Sequence, residues 1–429
     1  MVITNAPRGT NDFLPEDTAI LQYVERTMAR IAGAFGYDEM RCPIFEHTEL
    51  FQRGIGDATD IVEKEMYTFT DRGDRSITLR PEGTAGVVRA YLERKLYALA
   101  QPVKLSYTGP MFRYERPQAG RFRQFHQLGL EAIGAADPMV DAEIVAICDA
   151  FYRELGLTSF VVHLNSIGCP QCRPGYIQAL REYASSRLDA LCSSCKVRYD
   201  KNALRLLDCK VEECRHLTES APRTTDHLCS DCRGHFTKTK GYLESLGISY
   251  VLNHRLVRGL DYYTKTVFEF VLPGIGSQDA IGGGGRYDGL VEKCGGDPTP
   301  GVGVAIGIER IVLAMKATGD SLPAVPSAEV FIACLGGAAK LEGFRMAGAF
   351  RARGVRTELD YSAKGLKGQL KAADRSGARV CLVLGDDELA RGLVVVRPMT
   401  GGQQTQEPIE GIVDRTIATI SDIKGVQGE

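Results

Sequence analysis

No apolar run in this sequence is long enough to cross a bilayer, and the opening stretch MVITNAPRGTNDFLPEDTA contains no apolar signal core. A membrane or exported protein is not expected, and a cytoplasmic one is. Excess charge of either sign is also lacking: the formal net charge is −2. That balance argues against bulk electrostatic attachment to nucleic acid and leaves such contact to local patches. Internal repeats and low-complexity tracts are absent, and hydrophobic residues at 44% with charged residues at 25% match ordinary globular usage. A chain of 429 residues is too long for one small core, so two or three domains are expected. Disulfides rarely persist in the cytoplasm, so the thirteen cysteines are expected to be thiols or metal ligands.

Residues 17–36 read as an amphipathic helix, with Ile20, Val24, Thr27, Met28 and Ile31 at helical spacing. Pro43 then opens an extended segment, and short strands are expected near 75–80 and 103–114. From Gly168 to about Leu246 the texture changes: eight cysteines fall in four close pairs, the mark of an insertion. Strand-like sequence resumes in LVRGLDYYTKTVFEFVL and AIGGGGRYDGLV, and GVGVAIGIERIVLAM reads as a strand running into a helix. Pro323 and Pro326, in DSLPAVPSAE, mark a linker. Beyond it, EVFIACLGG, GVRTELDY, ARVCLVLGD and GLVVVRP alternate with helical stretches in the pattern of a small α/β domain.

One stretch, MFRYERPQAGRFRQFHQLGLEAIG (Met111–Gly134), crowds cations against aromatic rings. Side chains alternate faces along a strand. Arg113 and Glu115 then share a face before the RPQAG turn, and Arg121, Arg123, Phe125, Gln127 and Glu131 share one after it, if the strand is unbulged. Phe122, Leu128, Leu130 and Ala132 fall on the apolar side. Guanidinium forks suit phosphate and a phenyl ring suits a base, so this face can bind a nucleotide. A hairpin with a salt-bridged solvent face fits the same pattern.

The glycine run 282–285 lacks the following Lys-Ser/Thr of a phosphate loop, and a tightly packed strand is the better reading. The cysteine pairs are Cys169–Cys172, Cys192–Cys195, Cys209–Cys214 and Cys229–Cys232. Three have Cys-x-x-Cys spacing, and two such knuckles can close a tetrahedral structural zinc site. A small insertion with few large apolar residues would gain folding energy from the metal. Buried or redox-inert thiols remain an alternative, and spacing does not say which pairs combine.

FRYE followed by RFRQF resembles motif 2 of the class II aminoacyl-tRNA synthetases, and GVGVAIGIERIV resembles their motif 3, ending near Arg310. The helix running into Pro43 is similar to motif 1, the dimer element. LRPEGTA (Leu79–Ala85) and LVRGLDYYT (Leu256–Thr264) resemble the histidyl-tRNA synthetases within that class. The resemblance implies an α+β fold. Its parts are a class II antiparallel sheet flanked by helices, a helical cysteine-rich insertion and a C-terminal α/β anticodon-binding domain. The division expected is 1–167 and 251–325 for the core, 168–250 for the insertion and 326–429 for the anticodon-binding domain.

The same resemblance implies activation of L-histidine with ATP and Mg²⁺, transfer to tRNA(His), and a homodimer. Arg113 would bridge the α-phosphate and the amino-acid carboxylate. Glu115 would meet the adenine side, Arg121 the outer phosphates, Phe125 the adenine face and Arg310 the opposite side of the nucleotide. Arg258 would lie near the α-phosphate and carboxylate, sharing the catalytic role with Arg113. Glu82, Thr84 and Gln127 match positions that hold the α-amino group. Glu131 would accept from the imidazole N–H and Tyr263 would donate to its other nitrogen, a paired demand that rejects apolar isosteres. Tyr262 and Tyr287 match pocket tyrosines. Arg116 and Gln118 are candidates for the tRNA acceptor end. Lys364, Lys367 and Lys371, at i, i+3 and i+7, are candidates for one RNA-facing helix face, with a solvated face as the alternative. Regulatory subunits of ATP phosphoribosyltransferase resemble this core but lack the C-terminal domain and have degraded motifs. Here Arg113, Arg121, Arg258 and Arg310 are all present.

Overall fold

A computed structural model describes residues 5–56, 59–275, 279–319, 322–362, 364–399 and 401–426, with side chains described to residue 421. Asp320 and Ser321, at the start of the proline-marked linker, lie outside the described residues, as do Met1–Thr4 of the opening stretch and Ala363 beside the lysine run. The chain divides into two compact units, Met1–Ala324 and Val325–Glu429.

In the first unit, eleven strands are assigned among the described residues: β1 (Asp38–Glu39), β2 (Phe45–His47), β3 (Tyr67–Thr70), β4 (Ser76–Leu79), β5 (Val103–Phe112), β6 (Gln124–Ile133), β7 (Val161–Ser166), β8 (Tyr250–Leu252), β9 (Thr264–Val271), β10 (Ala280–Arg286) and β11 (Gly301–Gly307). Eight of them form one sheet in the order β1-β5-β6-β11-β10-β9-β7-β8. Its six central strands pair antiparallel. The short edge strands β1 and β8 pair parallel to their neighbours. The remaining three make a small sheet, β2-β4-β3.

One face of the large sheet buries its aliphatic residues under helices. Helix Pro15–Ala34 contributes Ile20, Val24, Met28 and Ile31, and helix Pro138–Glu154 contributes Ile144, Ile147 and Phe151, against Leu128, Leu130 and Ala132 of β6. Helical spacing on the helices and alternation on the strand therefore converge on one core. Asp137 caps helix Pro138–Glu154, its carboxylate accepting from the Met139 N–H at 2.8 Å, and Pro138 sits in the first turn where its missing N–H costs nothing. The alternate side chains of β6, including Phe125, Gln127 and Glu131, face the other way.

The insertion is helical, with helices Arg173–Ser185, Ser193–Lys201, Glu212–Leu217 and Ser230–Ser245. It carries more core than its sequence suggests. Tyr176, Leu180, Leu204 and Leu206 pack in one cluster with Tyr262 and Tyr263, and Phe236 and Leu243 join the core under helix Pro138–Glu154. LVRGLDYY, expected to be strand-like, is an irregular segment that becomes a strand only at Thr264. Its Leu256, Val257, Tyr262 and Tyr263 are buried by tertiary packing rather than by a sheet face.

The second unit holds β12 (Val330–Leu335), β13 (Thr357–Leu359), β14 (Val380–Gly385), β15 (Leu393–Pro398) and β16 (Thr405–Pro408) in the order β13-β12-β14-β15-β16. Strands β12, β13 and β14 are parallel, β15 and β16 antiparallel. The edge strand β16, TQEP, carries no apolar alternation that could have announced it. Among the described residues no helix is long and apolar enough to cross a membrane.

Candidate active site

The polar face of β6, the turn before it, the irregular segment 256–263 and the glycine strand β10 enclose one cleft. Glu82, Thr84, Arg113, Glu115, Arg121, Phe122, Phe125, Gln127, Arg258, Tyr262, Tyr263, Glu269, Glu309 and Arg310 line it.

The cationic end is built by the β5–β6 connection and the start of helix Ile308–Thr318. Arg113 donates through Nε to the Pro81 carbonyl at 2.8 Å, and its guanidinium lies 5.4 Å from the Phe125 ring centre. Arg121 pairs with Glu115 at 2.6 Å. Arg310 donates to the Ala280 carbonyl at 2.7 Å. Burial, then repulsion from Arg121, depresses the Arg310 pKa. Three guanidinium groups thus converge where an anion would relieve their repulsion.

The other end is polar and buried. Glu82 accepts from the Thr84 and Ala85 N–H groups at 2.7 and 2.9 Å, capping the start of helix Thr84–Glu93. Thr84 Oγ1 donates to Glu131 at 2.7 Å, and the Tyr287 hydroxyl donates to it at 2.5 Å. Glu131 is fully buried, and burial lifts its carboxyl to about 8 against the hydrogen bonds from Tyr287 and Thr84. Arg258 pairs with Glu269 at 3.0 Å and sits 5.7 Å from the Tyr263 ring. Two buried polar atoms here have no hydrogen-bond partner among the described residues: Gln127 Oε1 and Arg258 Nε. One is an acceptor and the other a donor. Orphaned buried groups are costly, and a ligand carrying both a donor and an acceptor would satisfy them.

Glycines make this chemistry fit. A Cβ at Gly283 would come within 2.6 Å of the Arg258 guanidinium, and one at Gly303 within 1.8 Å of Glu131 Oε2. The run 282–285 is therefore a close-packed strand floor, as its sequence context indicates.

The sequence matches the histidyl-tRNA synthetase family over residues 9–311 and an anticodon-binding domain over 329–418. The chain belongs to the histidyl-tRNA synthetase family. It is 54% identical over 96% of its length to a histidine–tRNA ligase of Pelotomaculum thermopropionicum, covering 97% of that relative. Identity to the corresponding ligase of Desulforamulus reducens is 52%, covering 96% of this chain and 98% of that one. The crystal structure of apo S. aureus histidyl-tRNA synthetase superimposes with a TM-score of 0.82 at 38% identity, over 96% of this chain and all of that one. By family the chain is an aminoacyl-tRNA synthetase of class II architecture, a ligase.

Of the synthetase-type site residues read from sequence, Glu82, Thr84, Arg113, Glu115, Arg121, Phe125, Gln127, Arg258, Tyr262, Tyr263 and Arg310 line the cleft together. Glu131 and Tyr287 stand one layer behind the wall, joined to it through Thr84. Parity fails at the turn. Residues 113–123 are irregular, so Phe122 reaches the cleft instead of the core, while Arg123 turns away and stacks on Tyr114 at 3.8 Å. Arg116 and Gln118 are exposed on the same turn. In the second unit the three-lysine helix face needs correcting. Helix Leu366–Arg375 starts after Lys364, whose N–H instead donates to Asp360 at 2.8 Å. Lys367 and Lys371 remain on the helix, exposed and one turn apart.

Sequence reasoning missed Glu309. Its carboxylate accepts from the His126 N–H at 2.8 Å and contacts the His126 ring, pinning the motif 3 helix to β6. Its place beside Arg310 was the available signal. The eight insertion cysteines gather in two groups, Cys169, Cys172, Cys229 and Cys232, and Cys192, Cys195, Cys209 and Cys214.

Proposed function

We propose that this chain is a histidine–tRNA ligase. It joins L-histidine to ATP, giving histidyl-adenylate and pyrophosphate, and then passes histidine to a hydroxyl of the terminal ribose of tRNA(His), releasing AMP. The observation that carries the amino-acid site is the pair of orphaned atoms: Gln127 Oε1 suits an α-ammonium donor and Arg258 Nε–H an α-carboxylate acceptor.

A carboxylate is already nucleophilic, so no activating base is required. One carboxylate oxygen bonds to the α-phosphorus as the bond to pyrophosphate breaks. Arg113 would hold both reacting groups and the charge that develops on the phosphoryl oxygens. Arg121 exchanges Glu115 for the outer phosphates, leaving Glu115 free for the adenine amino group, and Phe125 and Arg310 enclose the base. Mg²⁺, when bound with the nucleotide, neutralises phosphate charge, and Glu269 and Glu309 would hold it. Tyr263 would meet the imidazole from the cleft wall and Glu131, held by Tyr287, from the layer behind it, with Thr84 and Glu82 beside the amino group and Tyr262 closing the wall.

The reading includes a cytoplasmic homodimer. Exposed Ile44, Phe45 and Phe69, on and beside the small sheet, support a self-associating surface. It also includes the four-part division at 167, 250 and 325, acceptor-end contacts by Arg116 and Gln118, anticodon-stem contacts by Lys367 and Lys371, and structural zinc in the insertion. ATP–pyrophosphate exchange with each of the twenty amino acids tests the function. Exchange with histidine alone is expected, and no exchange with histidine would overturn it.

A further inference from the structure

The cysteine groups are nested, which their spacing did not reveal. The first and last pairs of the insertion meet, and the two middle pairs meet inside them. In the outer group Cys169 and Cys172 sulfurs lie 3.7 Å apart, Cys169 and Cys229 3.9 Å, and Cys172 and Cys232 3.8 Å. In the inner group Cys192 and Cys209 are 3.9 Å apart. A zinc–sulfur bond of about 2.3 Å in a regular tetrahedron sets sulfur–sulfur edges of about 3.8 Å. These four separations match those edges, and the four sulfurs of each group all lie within 4.8 Å of one another, while a disulfide needs about 2.05 Å.

The local backbone suits thiolates. Cys172, Cys192 and Cys229 each stand at the N-cap of a helix, where orphan N–H groups and the helix dipole favour negative charge. The Cys169 N–H donates to Cys172 Sγ at 3.3 Å and the Cys192 N–H to Cys214 Sγ at 3.2 Å, bonds that stabilise sulfur ligands. Gly168, at φ +68°, has no room for a Cβ, which would fall 2.8 Å from Cys172 Sγ.

We propose that the insertion holds two structural zinc ions. One is bound by Cys169, Cys172, Cys229 and Cys232, the other by Cys192, Cys195, Cys209 and Cys214, and the first positions the histidine pocket. Each ion has four thiolate ligands and no open position, so neither takes part in the reaction. The outer site ties the end of β7 to helix Ser230–Ser245. Arg173, next to Cys172, donates to the Gly168 carbonyl at 3.1 Å and to the Tyr263 carbonyl at 2.6 Å. Tyr263 lines the cleft, so the outer zinc holds the segment that presents it. This positioning role rests on the proposed histidine site; the metal content does not.

Elemental analysis of the purified full-length chain after dialysis, with X-ray absorption at the zinc edge, tests the sites. Two zinc per chain, each with four sulfur neighbours near 2.3 Å, is expected. Iron in its place, free titration of all eight thiols, or two disulfides per group would overturn the assignment. Cys169→Ser with Cys229→Ser should remove one zinc, and Cys169→Ser with Cys209→Ser both. Loss of both ions in the first pair of changes would overturn the nesting. In pyrophosphate exchange, Cys229→Ser should raise the histidine KM about tenfold and change the ATP KM less than twofold. An unchanged histidine KM in the folded, one-zinc variant would overturn the positioning role. Should that variant not fold, Arg173→Lys gives the same KM comparison with both zinc ions retained.

Discussion

Glu131 and Gly303 face each other across β6 and β11, and the carboxylate occupies the space where a side chain at 303 would begin. This ionisable group is buried against a glycine, and burial is the largest influence on its carboxyl. Gly303→Ala should therefore push Glu131 out of its hydrogen bonds with Thr84 and Tyr287. Exchange kinetics should show the histidine KM raised at least tenfold and the ATP KM within twofold. Equal changes in both would mean that the substitution disturbs the whole sheet rather than the imidazole site.

The Glu131 carboxyl is lifted from its ordinary 4.5 to about 8 by burial. A group whose folded pKa is raised stabilises the fold fully below its unfolded pKa and loses that contribution as pH rises through the folded one. Between pH 4.5 and 8 this single group should lower stability by about 1.4 kcal/mol per pH unit. Thermal unfolding across that range should show a flatter profile for Glu131→Gln than for the unaltered protein. Parallel profiles would refute the assignment.

Arg113 lines the cleft between the Pro81 carbonyl, to which it donates, and the Phe125 ring. Arg113→Ala should lower histidine-dependent exchange by about 10³-fold or more while leaving the fold intact. Near-normal exchange in a folded variant would remove Arg113 from the reaction.

Lys367 and Lys371 stand exposed on helix Leu366–Arg375, beside Arg397 in a shallow groove. Changing both lysines to Glu should raise the tRNA KM about tenfold at moderate salt and spare pyrophosphate exchange. Lys364→Glu, outside the helix, should have less effect. Unaltered charging kinetics in the double variant would return this face to simple solvation.

Arg286 and Asp141 form a fully buried ion pair shared with His235, and Arg286 also holds the Ala135 carbonyl at 2.9 Å. Removing Asp141 leaves the buried Arg286 with Asp288, at 3.1 Å, and two backbone carbonyls as its remaining partners. Asp141→Ala should destabilise the first unit by about 2–3 kcal/mol in denaturant unfolding, because Asp288 still pairs with Arg286. A loss below 1 kcal/mol would show that water or a neighbouring group takes over.

The reach of the sequence follows from the range of the forces involved. Helical spacing in Pro15–Ala34 and alternation from Phe125 to Ala132 are local consequences of backbone geometry, so the helix, the strand and the chemistry of its polar face were legible residue by residue. The motifs around Arg113, Arg258 and Arg310 pointed to residues that line one cleft because each keeps its spacing on one segment. Alternation lost its meaning between Arg113 and Arg123, where the chain leaves the sheet, and only packing assigned Phe122 to the cleft and Arg123 to Tyr114. Tertiary structure alone placed Glu309 on the His126 backbone, set Glu131 against Gly303 and paired Cys169 with Cys229. These partners lie far apart along the chain. Their meeting is decided by sheet register and by helix packing, which depend on the whole core at once.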